Sequence, residues 1–282
     1  RAERLRRLYV SALARDGPVF PDAQTRRAVR ANLLTMRMNA ANREVANNLL
    51  AALPGKNYRR LRSGLEQVEL EFGDVLYEAG QEIRHVYFPG NSLVSLLTVV
   101  DHRMALEVGM VGHEGMVGVP LALGAQVSPV RALVQGAGTA MRMESERFRR
   151  EIRRSPQLQQ GVHRYANALM AQVSQTAACN RFHVVVARLA RWLLMTRDRL
   201  GTGEFRLTQE FLSHMLGVRR VGVTQAARAL QARKLIDYNR GNIRILDDKG
   251  LEAAACECYA LVNAKGNGVN TPARHASKPV RG

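Results

Sequence analysis

Apolar and polar positions along this chain change period as it runs. Between residues 66 and 142 they tend to alternate. Val68, Leu70 and Phe72 alternate with Glu69 and Glu71, and Val75 and Tyr77 follow Gly73-Asp74. Val86 and Phe88 flank Tyr87, and Met104, Leu106 and Val108 repeat the pattern. Arg131, Leu133, Gln135, Ala140 and Arg142 continue it more weakly. Alternation places one set of side chains on one face of a strand. Leu93 to Val100 is instead an almost unbroken apolar run, entered from the turn Pro89-Gly90-Asn91. Short strands spaced by roughly 8–12 residues and punctuated by glycine predict an antiparallel roll or barrel. Two short helical patterns precede them: Val45, Leu49, Leu50 and Leu53 before Pro54-Gly55, then Tyr58, Leu61 and Leu65.

From Ser145 the spacing becomes helical. Phe148 and Ile152 lie one turn apart, and Ser155-Pro156 restarts the helix with proline in its first turn. Leu158, Val162, Tyr165, Leu169, Val173 and Thr176 then recur at steps of three or four. Such a seam pairs with its copy in a dimer or buries against its own domain; the dimer is the expectation adopted. A further helix over 184–200 carries Leu189, Trp192 and Leu193 and ends at Gly201-Thr202-Gly203.

Residues 205–246 form the densest pattern. Thr208 is placed to cap a helix whose apolar face is Phe211, Leu212, Met215 and Leu216, and Gly217 ends it. A second helix over about 219–233 buries Val223, Ala226, Ala227 and Leu230. That leaves Arg219, Arg220, Thr224, Gln225 and Arg228 outward. Arginine and glutamine make paired hydrogen bonds to base edges, and further arginines hold phosphates. Leu235, Ile236 and Tyr238, the turn Asn239-Arg240-Gly241-Asn242, then Ile243 and Ile245, predict a hairpin with a basic tip.

Charge supports the same division. The net charge is +18, with +6 over residues 1–44, +2 over 45–180, +6 over 181–262 and +4 over 263–282. A nearly neutral middle between basic ends attracts polyanions at the ends alone. The N-terminal RAERLRRLYV lacks the apolar core of a signal peptide, and no run of ~18 apolar residues occurs, so a cytoplasmic protein without a membrane span is expected. Three cysteines are too few for a disulfide framework.

A roll, a long helix and a winged helix in that order resemble the Crp–Fnr superfamily of bacterial transcription regulators. The stretches carrying the resemblance are GDVLYEAGQEIRHVYFPGNSLVSLL (73–97), GMVGHEGMVGVPLALG (109–124), YANALMAQVSQTAACNRFHVVVARLARWLLMTRDRLG (165–201) and LTQEFLSHMLGVRRVGVTQAARALQARKLIDYNRGNIRILD (207–247). The expected fold is α+β: an N-terminal antiparallel, jelly-roll-like β-roll, a long dimerisation helix and a C-terminal winged helix. The expected division is a basic extension over 1–44, a sensory roll over 45–150, a dimerisation helix over 151–180, a DNA-binding domain over 181–262 and a basic tail over 263–282. The resemblance implies a homodimer on an inverted-repeat site in double-stranded DNA, with RNA polymerase as a further partner and no membrane partner.

Carried over residue by residue, the resemblance puts Arg220 on the guanine-reading position, Gln225 on another base-facing one, and Val221 where the catabolite activator branch has glutamate. Thr208, Arg219, Arg228 and Arg240 fall to phosphate contact. In the sensory roll the family's nucleotide cassette pairs glycine with glutamate and, about ten residues on, arginine with serine or threonine. Here Gly118 is followed by Val119, and Pro129-Val130 stand at the arginine-serine position. Cyclic AMP is therefore not the expected effector, and Glu114, Gly118 and Arg131 are left as candidates for an altered pocket. The 1–44 stretch holds no cysteine, which excludes the iron–sulfur chemistry of the oxygen-sensing branch there. Cys256-x-Cys258 with distant Cys179 is a poor metal signature, so no metal and no required cofactor are expected, and the thiols read as ordinary buried residues. His85 and His113 read as structural. Two other classes remain: a metal-dependent cupin-like β-barrel enzyme with an accessory winged helix, and a module whose winged helix binds protein. The first lacks a His-x-His pair, and the second leaves the basic ends without a role.

Overall fold

The computed structural model describes residues 47–267 apart from 102 and 103. The extension expected over 1–44 lies outside the described residues. Two short helices come first, α1 (Asn48–Ala51) and α2 (Gly55–Arg62). Asn47 caps α1 by accepting the Leu50 amide at 3.2 Å, and its side chain also donates to the carbonyls of Pro89 and Gly115. Strands β1 (Glu66–Leu70), β2 (Val75–Tyr77), β3 (His85–Pro89), β4 (Leu93–Asp101), β5 (Met104–Val111), β6 (Arg131–Gly136) and β7 (Gly138–Glu144) follow. They form two antiparallel sheets, in the orders β1-β7-β3 and β2-β6-β4-β5. A 3₁₀ turn, Val119–Leu123, closes the roll, with Val119 and Leu121 turned into its core.

The middle of the larger sheet is buried on both faces, which positions everything after it. Val94 and Leu96 of β4 and Ala132 and Val134 of β6 point into the roll. Leu93 and Leu97 of β4 and Leu133 of β6 point the other way, into a second core shared with the C-terminal helices. The apolar stretch Leu93–Leu97 of β4 thus comes from a segment covered on both faces, whereas Thr98 and Val100 beyond it are exposed.

Helices α3 (Ser145–Arg154) and α4 (Pro156–Phe182) leave the roll, and α5 (Val185–Leu200) turns back across it. Ser155 caps α4 by accepting the Leu158 amide at 3.2 Å, with Pro156 in the first turn. The apolar seam of α4 departs from the dimer expectation. Leu158, Val162 and Tyr165 are buried in the roll's own core, and Leu169 and Val173 lie against Gly109 of β5. Thr176 accepts from Arg191 of α5 at 3.1 Å. The first half of the seam is consumed within the chain, because the core of the roll offers it an apolar partner, while Leu169, Val173 and Thr176 are half-buried. The side of α4 left outward carries His163, Asn167, Met170, Ser174 and Ala177.

The C-terminal part holds β8 (Glu204–Arg206), α6 (Gln209–Leu216), α7 (Arg220–Ala232), β9 (Ile236–Asn239), β10 (Asn242–Ile245), α8 (Asp248–Ala254) and α9 (Cys258–Asn267). The three strands form one antiparallel sheet in the order β8-β10-β9. The sequence pattern signalled only the hairpin; β8 is three residues long with a single buried side chain, Phe205. Arg197 of α5 ties the end together, reaching Asp248, Glu252 and the Tyr259 hydroxyl. Helix α9 extends to Asn267, into the stretch expected to be a basic tail. No described helix is long and apolar enough to cross a membrane. The architecture is α+β, an antiparallel roll, a long helix and a C-terminal winged helix.

Candidate nucleic-acid interface

The interface is built from two helices held at a fixed angle by a glycine turn. The Thr208 hydroxyl accepts the Phe211 amide at 3.1 Å and starts α6. Gly217 ends it at φ 59°, a left-handed conformation that a side chain disfavours. A methyl placed on Gly217 would also stand 2.6 Å from Leu106 Cδ1 of β5. The turn therefore rests directly on the roll. Phe72, in the loop after β1, packs at a tilt against Phe211 of α6, with ring centroids 5.5 Å apart.

Helix α7 buries Val223, Ala226, Ala227 and Leu230. Helical spacing then forces the polar positions outward, and Arg219, Arg220, Val221, Gln225 and Arg228 are all exposed. Val221 keeps 59% of its surface, high for an apolar residue. Thr224 donates to Gln209 at 2.7 Å, or back to the Arg220 carbonyl at 3.1 Å, and so pins the start of α7 to α6. The wing is anchored in the same way. The Leu207 amide donates to the Gly241 carbonyl at 2.6 Å, and the Tyr238 hydroxyl donates to the Leu207 carbonyl at 2.9 Å. Burial raises the Tyr238 hydroxyl to about 12, so it stays a donor. Arg240 and Gly241 take φ of 48° and 85°, the two positive values of a type I′ hairpin turn, and Arg240 stands exposed at its tip.

The three residues considered for an effector pocket are engaged separately. Arg131 pairs with Glu78 at 2.6 Å. Glu114 pairs with Arg199 of α5 at 2.8 Å, its other oxygen buried without a hydrogen bond. Gly118, at φ 101°, begins the 3₁₀ turn. The roll's interior is filled by Tyr77, Ile83, Val86, Phe88, Met116 and Val134, among others.

The cysteines depart most from expectation. Cys179 near the end of α4, His183 just beyond it, Cys256 between α8 and α9, and Cys258 at the start of α9 bring their ligand atoms within 4.8 Å of one another. All three thiols are buried. The Cys179 and Cys256 sulfurs lie 3.5 Å apart, and this contact pulls the Cys179 thiol down while pushing Cys256 up. Among the residues sequence reasoning passed over, His183 is the chief one. Its signal was present as Cys179-x-x-x-His183, one helical turn, ahead of a Cys-x-Cys pair. The thiols are buried, as expected, but folding brings them together by joining the end of α4 to the start of α9.

Comparison with known proteins agrees with this geometry. Residues 187–254 match the model of the Crp-like helix-turn-helix domain. No curated protein matches the chain in sequence. Among solved structures, a putative transcriptional regulator of the Crp/Fnr family from Eubacterium rectale shares 20% identity over 75% of this chain and 99% of its own, with a TM-score of 0.56. FixK2 from Bradyrhizobium japonicum shares 11% over 68% and 98%, with a TM-score of 0.59. The c-di-GMP-responsive global regulator CLP from Xanthomonas campestris shares 15% over 69% and 100%, with a TM-score of 0.57. None of these lends support to a cupin-like enzyme. The chain carries a Crp-like helix-turn-helix domain, joined to a β-roll and a long helix in the fold of the Crp/Fnr transcription regulators.

Proposed function

We propose that this chain is a sequence-specific transcription regulator that binds an inverted repeat in double-stranded DNA as a homodimer. The observation that carries it is the outward face of α7. Its buried stripe fixes the helix, and the opposite side offers Arg220, Val221 and Gln225 at its N-terminal end. That end is the one a recognition helix presents to base edges. Arg220 and Gln225 read bases, with Val221 making apolar contact. Arg219 and Arg228 hold phosphates beside them, Arg240 reaches the backbone from the wing, and Thr208 adds a contact at the start of α6.

The domains are those read from the sequence, 1–44, 45–150, 151–180 and 181–262, with the last carried on to Asn267 by α9 and the basic tail after it. The dimer face, however, is the outward stripe of α4, Asn167, Met170, Ser174 and Ala177, rather than the seam. Met170 supports this, because it is a large apolar side chain 64% exposed in the middle of that stripe. Small residues on either side let two helices approach closely.

The filled interior of the roll and the separate ion pairs of Glu114 and Arg131 argue against cyclic AMP. The effector, where one acts, binds elsewhere or remodels the roll. The test is genome-wide mapping of bound sites, followed by sedimentation of the purified chain with and without the recovered duplex. A palindromic motif bound by two chains is expected. A motif without two-fold symmetry, or a single chain per site, would refute the dimer reading; no enriched motif would refute sequence-specific binding.

A further inference from the structure

Four side chains from two distant parts of the sequence converge where α4 ends. Cys179 and His183 lie one turn apart at its C-terminus, and the His183 amide donates to the Cys179 carbonyl at 3.1 Å. Cys256 arrives from the connection between α8 and α9, and Cys258 from the first position of α9. We propose that Cys179, His183, Cys256 and Cys258 form a mononuclear site for a thiophilic divalent cation, zinc(II), which clips the end of the long helix to the C-terminal segment.

The spacing matches a single ion. Zinc–sulfur bonds of ~2.3 Å and zinc–nitrogen bonds of ~2.0–2.1 Å put tetrahedral ligand atoms roughly 3.4–3.8 Å apart. The Cys179–Cys256 sulfurs lie 3.5 Å apart, and Cys258 Sγ lies 3.4 Å from His183 Nδ1. The remaining separations stay within 4.8 Å. An iron–sulfur cluster interposes its own atoms and spreads its ligands further than one ion does. Three thiolates and an imidazole are also a donor set that soft or borderline cations prefer to magnesium or calcium.

The surroundings are those of a ligand set. Metal-binding histidines usually donate their second ring N–H to a carboxylate, which fixes the tautomer. His183 Nε2 lies 3.1 Å from Glu257 Oε1, while Nδ1 faces the cysteines. Gln175 donates to Cys258 Sγ at 3.0 Å, as a metal-bound thiolate accepts. Charge is balanced from α5. A divalent ion with three thiolates carries one net negative charge. Arg188 and Arg191 are buried beside Cys179, and among the described residues neither makes a salt bridge to a carboxylate. Arg188 spends itself on Asn180 and the Leu216 carbonyl, and Arg191 on Thr176. Each guanidinium keeps a buried Nε without a partner. Binding would replace the thiol protons by the metal, releasing up to three protons, with no change of oxidation state.

Zinc would therefore join α4, the helix that carries the proposed dimer stripe, to the segment that closes the winged helix. The inference does not depend on DNA binding, and its test reads metal directly. The full chain, purified under reducing conditions and stripped with a chelator, is titrated with zinc against a chromophoric competitor. Cobalt(II) serves as the spectroscopic substitute. One zinc per chain is expected, with the intense absorption of a tetrahedral cobalt–thiolate centre and a rise in Tm on loading. Cys256→Ser and Cys258→Ser are expected to abolish the cobalt band. Glu257→Gln, on an exposed side chain outside the ligand set, is expected to fold normally and weaken zinc by ~10–100-fold. No stoichiometric zinc in the reduced chain would overturn the proposal. So would undiminished binding in Cys258→Ser, or a Cys179–Cys256 disulfide that forms readily and leaves the apoprotein as stable as the zinc-loaded one.

Discussion

The indole N–H of Trp192 on α5 donates to the Glu107 carboxylate on β5 at 2.8 Å, inside the core shared by the roll and the C-terminal helices. The second Glu107 oxygen lies 2.6 Å from the Ser95 hydroxyl, which is also 2.5 Å from Gln135 Oε1. Gln135 in turn donates to Thr196 of α5 at 3.2 Å. Ser95 has one proton for two acceptors. A protonated Glu107 resolves this by donating to Ser95, which then donates to Gln135.

Burial holds the Glu107 carboxyl up at about 7, against 4.5 for the free group. A raised folded value means that the stabilisation is complete below 4.5 and is lost as pH rises through 4.5 to about 7. Relative to Glu107→Gln, the native chain is expected to lose about 3 kcal/mol of stability across that window. Urea melts of both proteins at steps of pH measure this. A constant difference between them would show that Glu107 stays ionised.

Gly217→Ala tests the seat of the helix turn on the roll. It meets both a left-handed backbone and Leu106, and is expected to cost ~1–2 kcal/mol in urea unfolding. In a Leu106→Ala background the penalty is expected to shrink, leaving only the backbone part. An equal penalty in both backgrounds would mean that Leu106 is not the obstacle.

Arg220→Ala and Arg228→Ala should differ in kind. Loss of a base-reading arginine removes ~1–3 kcal/mol of discrimination at one base pair. Loss of a phosphate contact weakens all duplexes alike and lowers the salt slope by about one. Binding of single-base variants of the recovered site across a salt series separates the two. A uniform loss in Arg220→Ala would reassign it to the backbone.

Thr208→Ala removes the oxygen that accepts the Phe211 amide, and is expected to lower stability by ~1 kcal/mol. Thr208→Ser keeps the oxygen and should restore most of it. If the serine variant is as unstable as the alanine one, the threonine methyl rather than the cap is what counts.

The parts of this fold legible in the sequence are those whose signal is local. The α6–Gly217–α7 pattern is complete within about 25 residues, because capping, burial and exposure are all decided along one helix pair. The alternation of β6 was faint because both Leu133 and Val134 are buried, on opposite faces. The α4 seam was visible, but its partner was not: the same apolar period serves a second chain or the chain's own sheet. The thiol cluster was least legible of all. Cys179 and Cys256 stand 77 positions apart, and nothing local in either segment points to the other.

The double-sided sheet has a thermodynamic signature. Leu97, Ala105, Met110 and Leu133 are covered by the helices that carry the candidate DNA-reading face. Any response that swings those helices off the roll uncovers this apolar layer to water. Newly hydrated apolar surface raises heat capacity. Calorimetry across several temperatures would thus register such a rearrangement as a positive heat-capacity increment, whereas a signal confined to the roll's interior would leave no such increment.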